Sequence, residues 1–481
     1  METEESPCLR RDIEILSDRP EEPGTVLLYD PVQRAVFELD PGDLPLVKLL
    51  DGRHSLPEIA RMLRRRLEDV QELIDDLSDA FLLEDPEQEE MLRALRRRNR
   101  EEDRLLAPVL DSGPVLDLSE RPIRVVDDAR HDCLRCGACC HYAVPVSPEE
   151  RHRLETVEWP REIFPEGSDA LFQVRPALQW GRLEATLSTR SDPVRCIFLD
   201  EENLCRVQLQ LGAEAKPFVC RLFPLAFPVV TPEEVLFSLT FECPHIYSTY
   251  ETGERLAGRS DVLRGLAAEM EEVYILPSEI ELREGKSLGL EPFLRWEEDL
   301  VQHAIAPATQ PDALLEAQAE AWLRLDAGGP PPAPSAEEFG QIVRALEEAA
   351  CRDPESLRET PEGTEGCLHA QRVLEALGET PLLAWGRFPW ADGAAADRFL
   401  ARFVRHFLEG KQYLLYRTAW LGLRGLALIL LLSRYDAFLL ARQAGEETVS
   451  LGNLNRALSR WCRLLDVRSL RLAYVQTVLR G

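Results

Sequence analysis

The spacing of apolar residues along this chain changes character more than once. Near the N-terminus, Thr25–Tyr29 and Arg34–Leu39 are short, rich in β-prone residues and separated by Asp30-Pro-Val-Gln33, which predicts a hairpin. Helical spacing follows. One segment, around Leu44–Leu50, halts at Asp51-Gly52. The next opens with Ser55-Leu-Pro-Glu58, a capping box in which the serine oxygen accepts an orphan N–H and the glutamate returns to the serine N–H. Ile59, Met62, Leu63 and Leu67 then line one face, and a third segment repeats the period with Val70, Leu73, Ile74, Leu77 and Phe81. A hairpin packed on three helices predicts a small winged-helix-like domain over residues 24–86.

A charged helix or linker follows at 87–114, then a cysteine-rich region at 115–250 and a helical connection at 251–325. Asp326–Ser335 (DAGGPPPAPS) is too rich in proline and glycine to be helical and reads as a linker. Residues 336–481 return to long helical patterns. One places Phe399, Phe403, Phe407 and Leu408 on one side. Another, Leu421–Leu440, is apolar nearly all round and should be buried in a bundle. The expected fold class is therefore mainly α with an α+β N-terminal part: a winged-helix-like domain, an irregular cysteine-rich metal domain and a C-terminal helical bundle. No internal repeat of fixed period is visible.

Composition narrows the function. The 481 residues are 45% hydrophobic, enough for several cores, and carry a net charge of −29. A nucleic-acid binder needs a basic footprint for phosphates, so no nucleic-acid partner is expected. The same charge argues against docking on anionic lipid. The most apolar stretch, Trp420–Leu432, falls short of the ~20 residues of a membrane span and is interrupted by Arg424. The polar, acidic N-terminus has no apolar signal region. The expectation is a cytoplasmic protein, where thiols stay reduced and clustered cysteines read as metal ligands rather than disulfides. Nothing in the pattern specifies an oligomeric state.

Eight of the twelve cysteines are clustered: Cys133, Cys136, Cys139, Cys140, Cys196, Cys205, Cys220 and Cys243. Cys8, Cys351, Cys367 and Cys462 stand apart and read as ordinary thiols. Two residues between cysteines let both thiolates turn toward one centre, and Gly137 permits the tight turn this needs. The more distant cysteines would close the shell and tie the intervening loops together. Cys139 and Cys140 are adjacent, so their side chains diverge. Eight thiols therefore suit either two four-ligand sites or one cluster with additional thiols. Soft thiolates select zinc or iron–sulfur, with a [4Fe–4S] cluster expected in the latter case. Arg135, Arg195, Arg206 and Arg221 adjoin the ligands and could offset their charge, and His131, His141 and His245 flank them.

At these residues the chain resembles the YkgJ-type cysteine-cluster family of zinc- or iron-chelating proteins. The resemblance rests on Cys133–Cys140 as CxxCxxCC, on Cys196-Ile-Phe-Leu-Asp200 with Cys205, and on Pro217-Phe-Val-Cys220-Arg-Leu-Phe-Pro224. It implies that all eight cysteines bind metal. Two departures are Lys216, where the family often has arginine, and the long insert between Cys140 and Cys196. The coupling of a cysteine cluster to a helical C-terminal half, with the aromatic and leucine-rich pair at Phe399–Leu432, is similar to the flagellin lysine N-methylase family. No glycine-rich loop after a strand marks a Rossmann-type S-adenosylmethionine site, so that cofactor enters only under this alternative.

The N-terminal segment resembles the PqqD-like family in Leu28-Tyr-Asp30, Val36-Phe-Glu-Leu39, Leu50-Asp-Gly52 and the final helix ending at Phe81-Leu-Leu83. That resemblance implies peptide binding. The third helix, Glu68–Ala80, has six acids and no base, which would repel phosphate if it served as a DNA-recognition helix. The expected protein is thus a cysteine-cluster metalloprotein with a peptide or protein partner. The alternatives are a protein lysine N-methylase-like enzyme and a non-catalytic metal carrier or sensor.

Overall fold

The computed structural model describes residues 6–17, 24–114, 118, 121–137, 139–140, 144–159, 171–177, 182–187, 189–191, 194–270, 272–305, 336–352, 369, 372–374 and 390–480. The Pro/Gly stretch Asp326–Ser335, residues 306–325 of the helical connection, His141 and Cys367 lie outside them. The architecture is mainly helical with small sheets. It comprises two compact units, one formed by Met1–Asp103 and Val144–Ser188, the other by Arg104–Ala143 and Thr189–Gly481.

In the first unit, Val26–Asp30 and Ala35–Leu39 form the expected hairpin, with Leu28 opposite Phe37 and Tyr29 opposite Val36. Glu14–Ser17 adds a third antiparallel strand on the other side of Val26–Asp30. The hairpin turn is built on Asp30, whose Oδ1 accepts from Val32 N at 2.8 Å and Gln33 N at 3.1 Å. This carboxylate is fully buried and meets the buried Arg10 guanidinium through two bonds of 2.7 and 3.0 Å. Such fork-on-carboxylate geometry compensates a charge that would otherwise be costly to desolvate.

Helices Leu44–Val47, Leu56–Leu63 and Leu67–Asp79 pack on this sheet through Leu46, Ile59, Val70 and Ile74. Glu58 reaches back to the Ser55 N–H at 3.0 Å, the returning arm of the capping box. The charged segment at 87–114 is a helix over Glu89–Leu106. Asn99 and Glu102 on that helix hold the hairpin turn, bonding Val32 O at 2.7 Å and Arg34 at 3.1 Å. Part of the insert between Cys140 and Cys196 belongs to this first unit, as a sheet in the order Pro145–Val146, Arg182–Leu187, Phe172–Ala177.

The second unit is organised by a five-stranded mixed sheet and a helical assembly. The strand order is Asp111–Pro114, Glu272–Ile275, Val229–Val230, Val235–Phe237, Ile123–Val125. Helix Gly393–Glu409 buries Phe399, Phe403 and Phe407, and the first two approach Phe241 at ring-centroid distances of 5.7 and 5.3 Å. Helix Ala419–Gln443 is buried along most of its length, as its continuous apolar sequence requires. Arg424 is accommodated within it by an ion pair with Glu338 and by stacking over Trp420. Gly422 lies against the Tyr413 carbonyl, where a Cβ would come within 1.9 Å of that oxygen, so only glycine allows this close approach. Among the described residues no helix is long and apolar enough to cross a membrane.

Candidate metal centre

Four short segments of the second unit carry the eight thiols. In Cys133–Cys140, Arg135 (φ +55°) and Gly137 (φ +72°) reverse the backbone twice, which folds the segment into a knot. Gly137 is required there: a Cβ would sit 2.9 Å from Asn203 Oδ1 and 3.0 Å from Leu199 Cδ2. Arg135 N–H points at Cys133 Sγ (3.4 Å) and Cys140 N–H bonds Gly137 O (2.9 Å). The adjacent Cys139 and Cys140 thiols remain 4.0 Å apart.

The second segment is tied directly to the first, because Cys196 N–H donates to Cys140 O at 2.6 Å. Between Cys196 and Cys205 the chain makes a turn around Asp200. Its carboxylate accepts from Glu202 N (2.9 Å) and Leu204 N (2.7 Å), a side-chain substitute for backbone pairing. Asn203 takes a positive φ of 61° to complete the turn, and Leu199 and Cys205 then face each other in a β-bridge. The Cys-x-Phe-Leu-Asp pattern is therefore a geometric device for returning the chain to the same place.

Cys220 lies in the short helix Phe218–Leu222, entered through Pro217. Cys243 precedes helix Ile246–Thr252 and is gripped by the penultimate described helix, Leu451–Leu464. Asn455 Nδ2 donates to Cys243 O (2.9 Å) while its Oδ1 accepts from Tyr247 N (3.1 Å). Ser459 Oγ donates to Glu242 O at 2.6 Å and Arg463 adds a second donor to that carbonyl at 3.1 Å. The sequence reading did not single out these three residues. Their signal was present as a polar row at four-residue spacing, Asn455, Ser459, Arg463, on a helix that is otherwise largely apolar.

Cys133, Cys136, Cys139, Cys140, Cys205, Cys220 and Cys243 line one cavity of about 150 Å³, and Cys196 is buried without lining it. The thiols surround space rather than meet at a point: among the described residues, no three Cys, His, Asp or Glu side chains are gathered closely enough to hold a metal ion. Two neighbourhoods are discernible. Cys220 is pushed up from the ordinary thiol range by burial and then by Cys196, Cys205 and Cys139. Cys243 is pushed up to about 12 by burial, with Cys139, Cys136 and Cys133 adding to the shift and an N–H from His245 opposing it. Cys139, raised first by its contact with Cys140 and then by burial, belongs to both. Crowded thiols resist becoming thiolates because their charges would repel in a low-dielectric site. A bound cation removes that penalty, so the donor set fits a thiophilic metal.

The cation that acts on these sulfurs is Lys216, which lines the cavity and lowers both Cys139 and Cys220. It was noted in the sequence only as a departure from the family pattern, although its place four residues before Cys220 was a usable signal. Of the neighbouring arginines, Arg135 lines the cavity, Arg195 bonds Asn203, and Arg221 pairs with Glu269 and caps Lys216 O (2.9 Å). His131 and His245 also line it. His131 is occupied by Thr249 Oγ1 at 3.0 Å, and burial lowers its pKa to about 4. Cys8, Cys351 and Cys462 do not line this cavity.

Residues 132–244 match the CxxCxxCC family, described as a "putative zinc- or iron-chelating domain". The match covers less than a quarter of the chain, and the matched stretch contains all eight of the clustered cysteines, so it supports metal binding at this site. A 53-residue stretch is 45% identical to the flagellar biosynthetic protein FliU of Salmonella muenchen, covering 11% of this chain and 31% of that protein. The chain thus spans about a third of the length of that curated relative. No solved structure matches the chain.

Proposed function

We propose that the protein is a metalloprotein whose eight cysteines enclose a polynuclear thiolate centre, an iron–sulfur cluster, and that this centre serves chemistry on a peptide or protein. The observation that carries the reading is the arrangement of seven thiols around a cavity of about 150 Å³. A single Zn²⁺ draws four thiolates to one point at about 2.3 Å. A cluster spreads its ligands over several iron atoms, which suits thiols that ring a volume. Cys133 and Cys136 act on Cys243, and Cys205 and the buried Cys196 act on Cys220, with Cys139 acting on both. An iron–sulfur cluster would supply electron transfer or substrate activation there. Anaerobic purification followed by iron, zinc and acid-labile sulfide analysis and a visible spectrum tests this. Iron with matching sulfide and a coloured preparation is expected; colourless protein with stoichiometric zinc and no sulfide refutes it in favour of a structural zinc site.

The N-terminal unit is proposed to recognise the peptide partner along the Ala35–Leu39 strand, which ends its sheet. Selection of displayed peptides on the immobilised chain should enrich one motif, with binding abolished by Phe37→Asp. Absence of enrichment would remove this role. A second reading, protein lysine N-methylation, is supported by the stretch similar to a flagellar biosynthetic protein. It requires the metal-loaded protein to bind S-adenosylmethionine, and calorimetry showing no binding would exclude it.

A further inference from the structure

The short helix carrying Cys220 has two functional sides. Cys220 faces the thiol cavity, while Val219 and Leu222 line a second, larger cavity of about 470 Å³ within the same unit. Phe223 lines both and stands where they adjoin. The volume is in the range of small-molecule sites. Its walls are chiefly apolar and aromatic, with Phe407, Tyr416 and Ile429 contributed by the C-terminal helices and their connection. Phe227, half exposed, adds another ring. A half-exposed aromatic side chain on a chiefly apolar recess is costly to hydrate and favours an occupant.

The charges around this cavity are already committed elsewhere in the fold. Lys411 is ion-paired with the buried Glu297, which also accepts from Tyr413 at 2.7 Å. The Arg471 guanidinium stacks over Tyr416 at 4.3 Å, donates to Leu415 O and lies 3.9 Å from Asp466. Gln412 spends its amide on Ser238 Oγ and Leu239 O. What the cavity still offers is apolar surface, aromatic faces and a few donors, among them the Tyr274 and Tyr416 hydroxyls and the Nε of Arg471, which is buried without a hydrogen-bond partner. An anionic ligand entering here would lose its hydration beside the Glu242 and Asp466 carboxylates, with both lining cations already paired. An uncharged ligand with one acceptor oxygen would gain burial and satisfy the orphan donor.

We propose that this cavity is the binding site for an uncharged, predominantly apolar group, aromatic or branched aliphatic and carrying few hydrogen-bond acceptors, held against Phe223 beside the thiol cavity. This goes beyond the metal-centre reading and does not depend on it, since the lining is formed by side chains that are not metal ligands. The group arrives either as a free small molecule or as a side chain of a peptide, and the chemistry of recognition is common to both.

The test is a fluorescence titration of the full-length protein, as purified with its metal, using the neutral probe N-phenyl-1-naphthylamine. Saturable binding at one site per chain is expected. Ile429→Trp, which fills the cavity, and Phe227→Glu, which places a charge at a half-exposed position, should each weaken binding at least tenfold while metal content is unchanged. The anionic analogue 8-anilinonaphthalene-1-sulfonate should also bind at least tenfold more weakly. Competition by a neutral tryptophan-containing pentapeptide, compared with N-acetyltryptophanamide, separates the sources: tighter competition by the peptide identifies a side chain, and equal or weaker competition a free molecule. Absence of saturable binding, undiminished binding in both variants, or equal binding of the anionic analogue would overturn the proposal. Since Phe227→Glu changes a partly exposed residue, it remains informative if Ile429→Trp fails to fold. Metal content, measured on the same samples, reports separately on the metal centre.

Discussion

The buried histidine behind the Cys243 segment makes the fold's acid stability predictable. His406 is wholly buried, with its Nδ1 accepting from Leu239 N–H at 3.1 Å. Nδ1 must therefore be unprotonated, so the neutral ring carries its proton on Nε2 and donates it to Tyr250 Oη at 2.9 Å. Tyr250 in turn donates to Asp127 Oδ2 at 2.8 Å, and Arg405 pairs with that carboxylate. Every group in the chain has one role, and a second proton on His406 would break the bond from Leu239. Burial lowers the His406 pKa to about 3; Asp127 opposes this, while Arg405 and Arg402 reinforce it.

The unfolded histidine protonates near pH 6.5. Between pH 6.5 and about 3 the unfolded chain therefore binds a proton that the folded chain refuses, and stability falls with acidification. The contribution is complete above pH 6.5 and is lost at roughly 1.4 kcal/mol per pH unit, or about 2 kcal/mol between pH 6.5 and 5.0. His406→Asn places an acceptor near the Nδ1 position and cannot titrate. It should lower stability at pH 7 by roughly 2–4 kcal/mol through lost packing and the lost Tyr250 bond. Its further loss between pH 6.5 and 5.0 should be smaller than the wild-type loss by about 2 kcal/mol. Urea unfolding of both proteins across this range measures the difference. His131, also lowered by burial, titrates in both proteins and cancels. Equal losses in wild type and variant would refute the assignment of a neutral, directed His406.

Three further outcomes follow from the geometry. Removing the cation beside Cys139 and Cys220 with Lys216→Gln should move the pH of half-maximal metal loading upward by about half a unit to one unit, with Lys216→Arg restoring it, as read from metal content after loading at graded pH. Gly137→Ala should cost roughly 1–2 kcal/mol from the left-handed backbone alone, and more from the contacts with Asn203 and Leu199, seen as reduced metal occupancy at unchanged helical circular dichroism. Arg10→Met leaves the fully buried Asp30 without its counter-charge and should destabilise the first unit by about 3–5 kcal/mol in urea unfolding while metal content stays at the wild-type level.

What could be read from the sequence was whatever is encoded locally. The hairpin, the capped helix and the apolar helix around Trp420–Leu432 each carry their own period or cap, and each appears where the pattern placed it. The cysteines were legible because their spacing is itself the constraint: Gly137 and the Asp200 turn show how short motifs reverse the chain. Strand Glu14–Ser17 was not read, since four residues offer too little alternation and its partner fixes it. Asn455, Ser459 and Arg463 were not read because their partners lie more than two hundred residues earlier. His406 and Tyr250 were missed for the same reason; nothing local distinguishes a buried, directed hydrogen-bond chain from two isolated polar residues on helices. Which sulfurs neighbour which is likewise a property of the packed chain, and it splits seven of the eight thiols between Cys220 and Cys243 with Cys139 shared.

The metal content of the anaerobically purified protein, compared with that of Cys220→Ser and Cys243→Ser, bears most directly on the central claim. The account predicts iron with acid-labile sulfide in the wild type and a loss of at least half of it in each variant, because each serine removes a sulfur from a different neighbourhood of the same enclosure. Wild-type protein without metal, or variants that retain it in full, would contradict a centre held by these cysteines.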